Sequence, residues 1–189
     1  MKNTPVILLL AFLLASCAFG RKVPYENMKV NLNFSGSSAV AVTVLDQREM
    51  ISDHSQKSDF TGYTRSGVGI AFPMGTESGK AFADVLRETI TDALSVKGFT
   101  VMSAADRQLL VKIKRMHSDF YSFTMFYYDV DVSVLDKTGN ALVTANFHKE
   151  DRISGNGIGQ GKYKEYSPAY LAGEIQSWLN DPHIAGALR

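Results

Sequence analysis

The sequence predicts an α+β fold, a largely antiparallel sheet with two amphipathic helices packed on one face. Three observations carry this prediction. Apolar residues alternate with polar ones at residues 28–34, 108–117 and 124–135, the period of half-buried strands. Helical spacing marks only two stretches, residues 78–97 and the segment after Ser167. Strands of the second half follow one another through short turns, as in a meander, so helices are segregated from strands.

In order along the chain, Met28, Val30, Leu32 and Phe34 oppose Lys29, Asn31 and Asn33, the pattern of an edge strand. Gly36-Ser37-Ser38 turns into residues 39–45, mostly apolar and β-branched, expected to be buried on both faces and to end at Asp46-Gln47-Arg48. Residues 46–79 are polar and glycine-rich, and within them residues 63–72 read as a further strand in which Val68, Ile70 and Phe72 alternate. Long loops are commonly functional, which makes residues 50–74 a candidate for partner contacts. Over residues 78–97, Phe82, Val85, Leu86, Ile90, Ala93 and Leu94 share one helical face. Thr76 or Ser78 is the expected cap and Gly98 the left-handed stop. Residues 99–102 read as a short strand. The next, 108–117, turns Leu109, Val111 and Ile113 one way and Lys112 and Lys114 the other. In residues 124–135, Val130, Val132 and Val134 face inward, with Asp129, Asp131 and Ser133 outward. Asp136-Lys137-Thr138-Gly139 forms a hairpin loop and residues 141–152 return. A glycine-rich connection (154–162) leads to a final helix capped by Ser167, with Pro168 in its first turn, which buries Leu171, Ile175, Trp178 and Leu179 and stops at Asn180-Asp181-Pro182.

The N-terminus follows different rules. Lys2 precedes nine apolar residues (6–14), and the small residues Ala15 and Ser16 stand before Cys17. That order is a cleavable signal peptide, too short for a stable membrane span. Leu14-Ala15-Ser16-Cys17 resembles the lipobox of bacterial lipoproteins, in which cleavage before the cysteine is coupled to diacylglycerol on its thiol and an acyl group on the new amine. The resemblance implies a cleaved signal over 1–16 and a lipidated tether over 17–24, and the length that remains is that of a single domain, the α+β domain expected over 25–189. The resemblance also implies a membrane partner held through acyl chains on Cys17, since two or more chains give stable anchoring. In that class an Asp after the cysteine favours the inner membrane. Ala18 stands there, implying the periplasmic face of the outer membrane.

Lys and Arg number 20 against 19 Asp and Glu, and removal of the signal takes Lys2 with it, so the expected mature chain is nearly neutral. That balance argues against nucleic acid as a partner. Cys17 is the only cysteine, so the fold is expected to rest on its core without disulfides.

No constellation of residues points to catalysis, a metal or a cofactor. His54, His117, His148 and His183 are scattered without zinc-site spacing. Asp129 and Asp131 share a strand face, as do His117 and Asp119, and a solvated outer face explains them better than a cation site or a glycosidase-like pair. Gly155, Gly157, Gly159 and Gly161 fail both common phosphate-loop spacings, and there is no Gly-x-Ser-x-Gly elbow. Phe120, Tyr121, Phe123, Phe126, Tyr127 and Tyr128 form the densest aromatic cluster. Alternation forbids all of them from facing inward, so Phe120, Tyr121, Phe123 and Tyr127 are the candidate interaction surface, with residue types suited to protein hot spots and membrane headgroups.

The whole arrangement resembles the YajG-type family of bacterial outer-membrane lipoproteins. The resemblance rests on the lipobox, the strand ending in Asp46-Gln47-Arg48, the helix closing on Lys97-Gly98-Phe99-Thr100-Val101, the strand at 109–113, Tyr128-Asp129-Val130-Asp131-Val132, and the C-terminal helix running into Leu179-Asn180-Asp181 and Ile184. Residues 50–74 depart from it. It implies a non-catalytic, lipid-anchored structural or protein-interaction module with an envelope protein as partner. The alternative is an auxiliary lipoprotein of an envelope transport system that binds a lipid or small amphiphile, which needs an apolar cavity between helices and sheet.

Overall fold

A computed structural model describes residues 21–153 and 162–189. Cys17 with its lipobox, and the glycine run from Gly155 to Gly161, lie outside the described residues. The elements are β1 (Arg21–Val23), a 3-10 turn (Tyr25–Asn27), β2 (Ala39–Asp46), α1 (Glu49–Ser52), β3 (Phe60–Arg65), β4 (Ala71–Thr76), α2 (Phe82–Val96) and β5 (Thr100–Val101). They continue with β6 (Arg107–Phe120), β7 (Thr124–Asp136), β8 (Ala141–Arg152), α3 (Tyr163–Leu179) and α4 (Pro182–Leu188). Among the described residues the class is mixed α+β, an open, mostly antiparallel sheet of eight strands with four helices in place of the two expected.

β6 is the strand on which the sheet is built. One edge pairs antiparallel with β7 along its whole length, and β7 pairs antiparallel with β8. The other edge forks. Its first half carries β2 in parallel, from Val40↔Arg107 to Asp46↔Ile113, with β5 beyond. Its last residues carry β3 in parallel, Gly62↔Ser118 to Thr64↔Phe120, followed by antiparallel β4 and then parallel β1.

A bulge sets which residues of β6 face inward. Pairing passes from Ile113↔Val130 to Arg115↔Asp129, leaving Lys114 as the extra residue. The buried set therefore changes parity, from Leu109, Val111 and Ile113 to Met116, Ser118 and Phe120. In β7 the even residues Phe126, Tyr128, Val130, Val132 and Val134 are buried throughout. They join one apolar cluster with Phe82, Leu86, Ile90 and Leu94 of α2, Leu171, Ile175, Trp178 and Leu179 of α3, and Ile184 and Leu188 of α4.

Several expectations are corrected. Residues 28–34 bury Met28, Leu32 and Phe34 but form no strand. Their backbone is bonded by side chains of the C-terminal region: the amides of Asn31 and Asn33 donate to Gln176 Oε1 (3.2 Å) and Asn180 Oδ1 (2.7 Å), and Asn180 Nδ2 donates to the Asn31 carbonyl. Period two reports one buried face whatever satisfies the backbone. β2 is not buried on both faces, since Leu45 is exposed and only Val40 and Ala41 are buried. Residues 63–72 are a hairpin instead of one strand, turning at residues 66–70, where the Ser66 amide donates to the Ile70 carbonyl and Gly69 takes φ +84°.

α2 starts at Phe82 with no side-chain cap. Thr76 Oγ1 donates to the Lys80 carbonyl and the Lys80 amide donates to Ser78 Oγ, so these residues shape the approach to the helix. α3 starts at Tyr163, which places Ser167 and Pro168 inside it and not at its beginning. Asp181 does not simply end a helix. Its carboxylate accepts from the His183 and Ile184 amides and caps α4, with Pro182 at the first position.

Candidate interaction surface

Among the described residues, the fork in the sheet leaves the edge of β6 without a neighbouring strand between Ile113 and Ser118. The Gln47 amide donates to the Ile113 carbonyl, and the chain then places Arg48, only 1% exposed, in the gap. Arg48 Nη1 donates to the carbonyls of Phe60 and Met116, both at 2.9 Å, while Nε and Nη2 donate to the two oxygens of Asp46 at 2.8 and 2.6 Å. The guanidinium stands 5.3 Å from the Phe82 ring centroid and 5.9 Å from that of Phe60. The planar fork of an arginine thus joins β2, β3 and β6. Beside it, Gly62 takes φ +148°, and a Cβ there would stand 2.1 Å from the Ser118 carbonyl, so only glycine permits β3 to approach. Tyr25, Ser118 and Ser167 gather three buried hydroxyls nearby, and burial pushes the Tyr25 phenol well above its ordinary range. Asp46-Gln47-Arg48 is therefore part of the framework.

On the sheet face opposite the core, the same bulge lines up Tyr63 of β3, His117 of β6 and Tyr127 of β7. His117 stacks on Tyr127 with centroids 4.9 Å apart and meets Tyr63 edge-on at 6.5 Å. The Arg115 guanidinium lies 4.5 Å from the Tyr127 centroid and pairs with Glu150 of β8. Arg65 and Asp119 form a forked ion pair alongside. Burial, reinforced by Arg115, pushes the His117 imidazole down to about 4, so it is neutral at neutral pH, and its Nδ1 has no hydrogen-bond partner among the described residues.

The four residues of the predicted surface fall in different places. Phe120 is a core residue packed on Tyr163 and does not belong to any outer surface. Tyr121 is 50% exposed in the β6–β7 turn and its hydroxyl donates to the Gly67 carbonyl in the β3–β4 turn. Phe123 is half-buried with the Arg152 guanidinium 4.3 Å from its centroid. Tyr127 belongs to the aromatic ladder on the outer face. Sequence reasoning missed Arg48, Tyr63 and Arg115. The parity that brings His117 to Tyr127 is set by the bulge, whose mark in the sequence is the pair Lys114-Arg115, where the alternation of Leu109, Val111 and Ile113 breaks before resuming at Met116.

Asp129 and Asp131 are both held by Lys114 (3.1 and 2.9 Å) and by Asn146 Nδ2 (2.8 and 2.9 Å), and these bonds keep both carboxyls below their usual range. Among the described residues no group of His, Cys, Asp and Glu is arranged to hold a metal ion. An open groove of about 640 Å³ runs along β1 and β4, with Phe60, Pro73 and Met74 among its apolar residues and Arg21, Lys22, His54 and Lys57 among its basic ones. Lys22 is paired with Asp59 there. Among the described residues no helix is long and apolar enough to cross a membrane.

The crystal structure of protein XCC0632 from Xanthomonas campestris, of the family DUF330, superposes on 89% of this chain and 95% of its own with a TM-score of 0.62 at 14% identity. The likeness is one of fold. A crystal structure of an uncharacterized protein covers 81% of this chain and 99% of its own (TM-score 0.47, 13% identity). A PelC dodecamer from Paraburkholderia phytofirmans covers 82% and 92% (TM-score 0.44, 10% identity). No protein-family model matches the sequence, and no curated protein matches it.

Proposed function

We propose that this chain is a non-catalytic, lipid-anchored module of the bacterial envelope, of the YajG-like kind, held at the periplasmic face of the outer membrane by acyl chains on Cys17 and binding an envelope protein. Both long helices pack on the core face of the sheet in this reading, leaving the other face for the partner. The observation that carries it is the ladder Tyr63–His117–Tyr127 with Arg115, aromatic side chains and a cation assembled across three strands on the face away from the core. Tyr and Arg are the residue types of interface hot spots. The polar groups that a catalytic reading would use are engaged elsewhere, Asp129 and Asp131 with Lys114 and Asn146.

The test has two arms. Cys17→Ser is expected to move the protein out of the outer-membrane fraction, and unchanged fractionation overturns the anchor. A photoreactive residue in place of Tyr127 in cells is expected to give one protein adduct that disappears with Arg115→Ala. Absence of such an adduct overturns the interaction surface.

One observation favours a second reading, an auxiliary transport component that binds an amphiphile. The groove of about 640 Å³ sets Pro73 beside Arg21 and Lys57, with Phe60 and Met74 buried beneath and Lys22 paired to Asp59. It offers cations to an anionic head but lies along the sheet edge, outside the space between helices and sheet that a carrier cavity would occupy. Lipid adducts from a photoreactive residue at Pro73, with none of protein at Tyr127, select it.

A further inference from the structure

One end of the molecule collects exposed apolar side chains that the fold does not use. Val68 is 83% exposed and Ile70 58% exposed in the β3–β4 turn, and Tyr121, 50% exposed in the β6–β7 turn, is bonded to that turn through the Gly67 carbonyl. The parallel register Thr64↔Phe120 sets the two turns side by side. Phe123 and Arg152 stack at the same end. The opposite end, beside the turn Asp136-Lys137-Thr138-Gly139-Asn140, also carries exposed apolar side chains, Val96 (82%), Met102 (48%) and Leu142 (49%), so exposure alone does not choose between the two ends.

Chain length says which end faces a membrane. β1 runs parallel to β4 with Arg21 opposite Met74, so the chain before Arg21 arrives from the side of the β3–β4 turn. Cys17 stands four positions before Arg21, a reach of at most about 14 Å. β6 alone, with 14 residues, spans about 45 Å. A domain standing on its far end would hold Arg21, level with Ser118 near the end of β6, farther from the bilayer than acyl chains on Cys17 can reach, so an upright domain stands on the end of the β3–β4 and β6–β7 turns. Scattered exposed hydrophobics are ordinary, but three in adjoining turns within reach of an anchor form a surface. Aliphatic tips with Tyr, Phe and Arg are the composition of the headgroup region.

We propose that the end formed by residues 66–70 and 121–123 docks on the phospholipid surface, with Val68, Ile70 and Tyr121 in the headgroup region, so that the domain stands on the membrane with β6 steeply inclined to it. This rests on the Cys17 anchor and adds an orientation that the anchor alone leaves open.

The test uses the full-length lipoprotein purified from membranes and reconstituted in phosphatidylethanolamine–phosphatidylglycerol vesicles. Acylation blocks the only native thiol, so Val68→Cys, Tyr121→Cys and Val96→Cys each supply one site for a polarity-sensitive dye. Val96 is the control, 82% exposed at the C-terminal end of α2, toward the far end of the sheet. Blue-shifted emission and severalfold quenching by spin-labelled lipid are expected at positions 68 and 121, with the aqueous value at 96. Aqueous emission at 68 and 121 in vesicle-bound protein overturns the proposal, as does equal quenching at all three positions. Intact mass of the same preparation reports the anchor separately. With Cys17 unacylated the anchor reading fails, and the same variants are then made with Cys17→Ser so that each again has one thiol. Quenching at 68 and 121 upon adding vesicles supports docking by itself, whereas its absence overturns docking as well.

Discussion

A guanidinium withdrawn from water must find acceptors for its donors, and Arg48 finds them in the Asp46 carboxylate and two carbonyls from strands far apart in sequence. Removing it strands a half-buried carboxylate and two strand-edge carbonyls. Arg48→Met is therefore expected to cost about 3–5 kcal/mol. Asp46→Leu with Arg48→Met is expected to cost less than the sum of the single changes, because the second change removes the group left unpaired by the first. Urea unfolding of the four proteins checks both statements. His117 gives a residue-scale pH dependence. Its folded value of about 4 lies below the ordinary 6.5, so between those values the unfolded chain binds a proton that the folded chain does not. Stability is therefore expected to fall as pH drops from about 6.5 to 4, by up to about 3 kcal/mol at 1.36 kcal/mol per unit, and then to level off for this group. In His117→Gln that component of the slope disappears, and unfolding midpoints measured from pH 4 to 7 show whether it does.

Among the elements, the meander β6–β7–β8 and helix α2 were legible because their signals are local: alternation, a four-residue turn held by Asp136, and a helical face stopped by Gly98 at φ +92°. What was not legible depended on distant partners. Residues 28–34 have a strand's period and satisfy their amides on Gln176 and Asn180, some 145 residues away. Asn180→Ala is expected to cost about 1 kcal/mol, the net worth of an ordinary hydrogen bond. It should raise hydrogen exchange at the Asn33 amide severalfold while leaving β6 and β7 amides unchanged. Equal exchange at Asn33 in both proteins would mean that packing of Leu32 and Phe34 alone holds the segment. The candidate surface was half legible for the same reason. Composition marked the aromatic run, but the residue facing the core was set by a bulge at Lys114, six residues before Phe120, which sent Phe120 inward and brought His117 out beside Tyr127.

At the scale of the molecule, the fork divides the sheet into a long meander and a wing of β3, β4 and β1. The wing meets β6 through three registered residues and Arg48, whereas β6 and β7 pair from Arg107↔Asp136 to Phe120↔Thr124. Ladder length and burial set the free energy of local opening, so the wing is expected to open before the meander. It also carries Arg21, the first described residue after the expected anchor, so any pull from the membrane reaches the sheet through β1 and β4. Exchange of backbone amides followed by mass spectrometry should show β3 and β4 exchanging at least tenfold faster than β6 and β7. Gly62→Ala sharpens the contrast, because its Cβ would stand 2.1 Å from the Ser118 carbonyl in a backbone conformation unfavourable to alanine. In that variant β3 and β4 are expected to lose most of their remaining protection while β6, β7 and the buried face of α3 keep theirs. If all strands lose protection together, the wing and the meander are one cooperative unit, and Arg48 ties the fork tightly enough to make the whole sheet unfold as one.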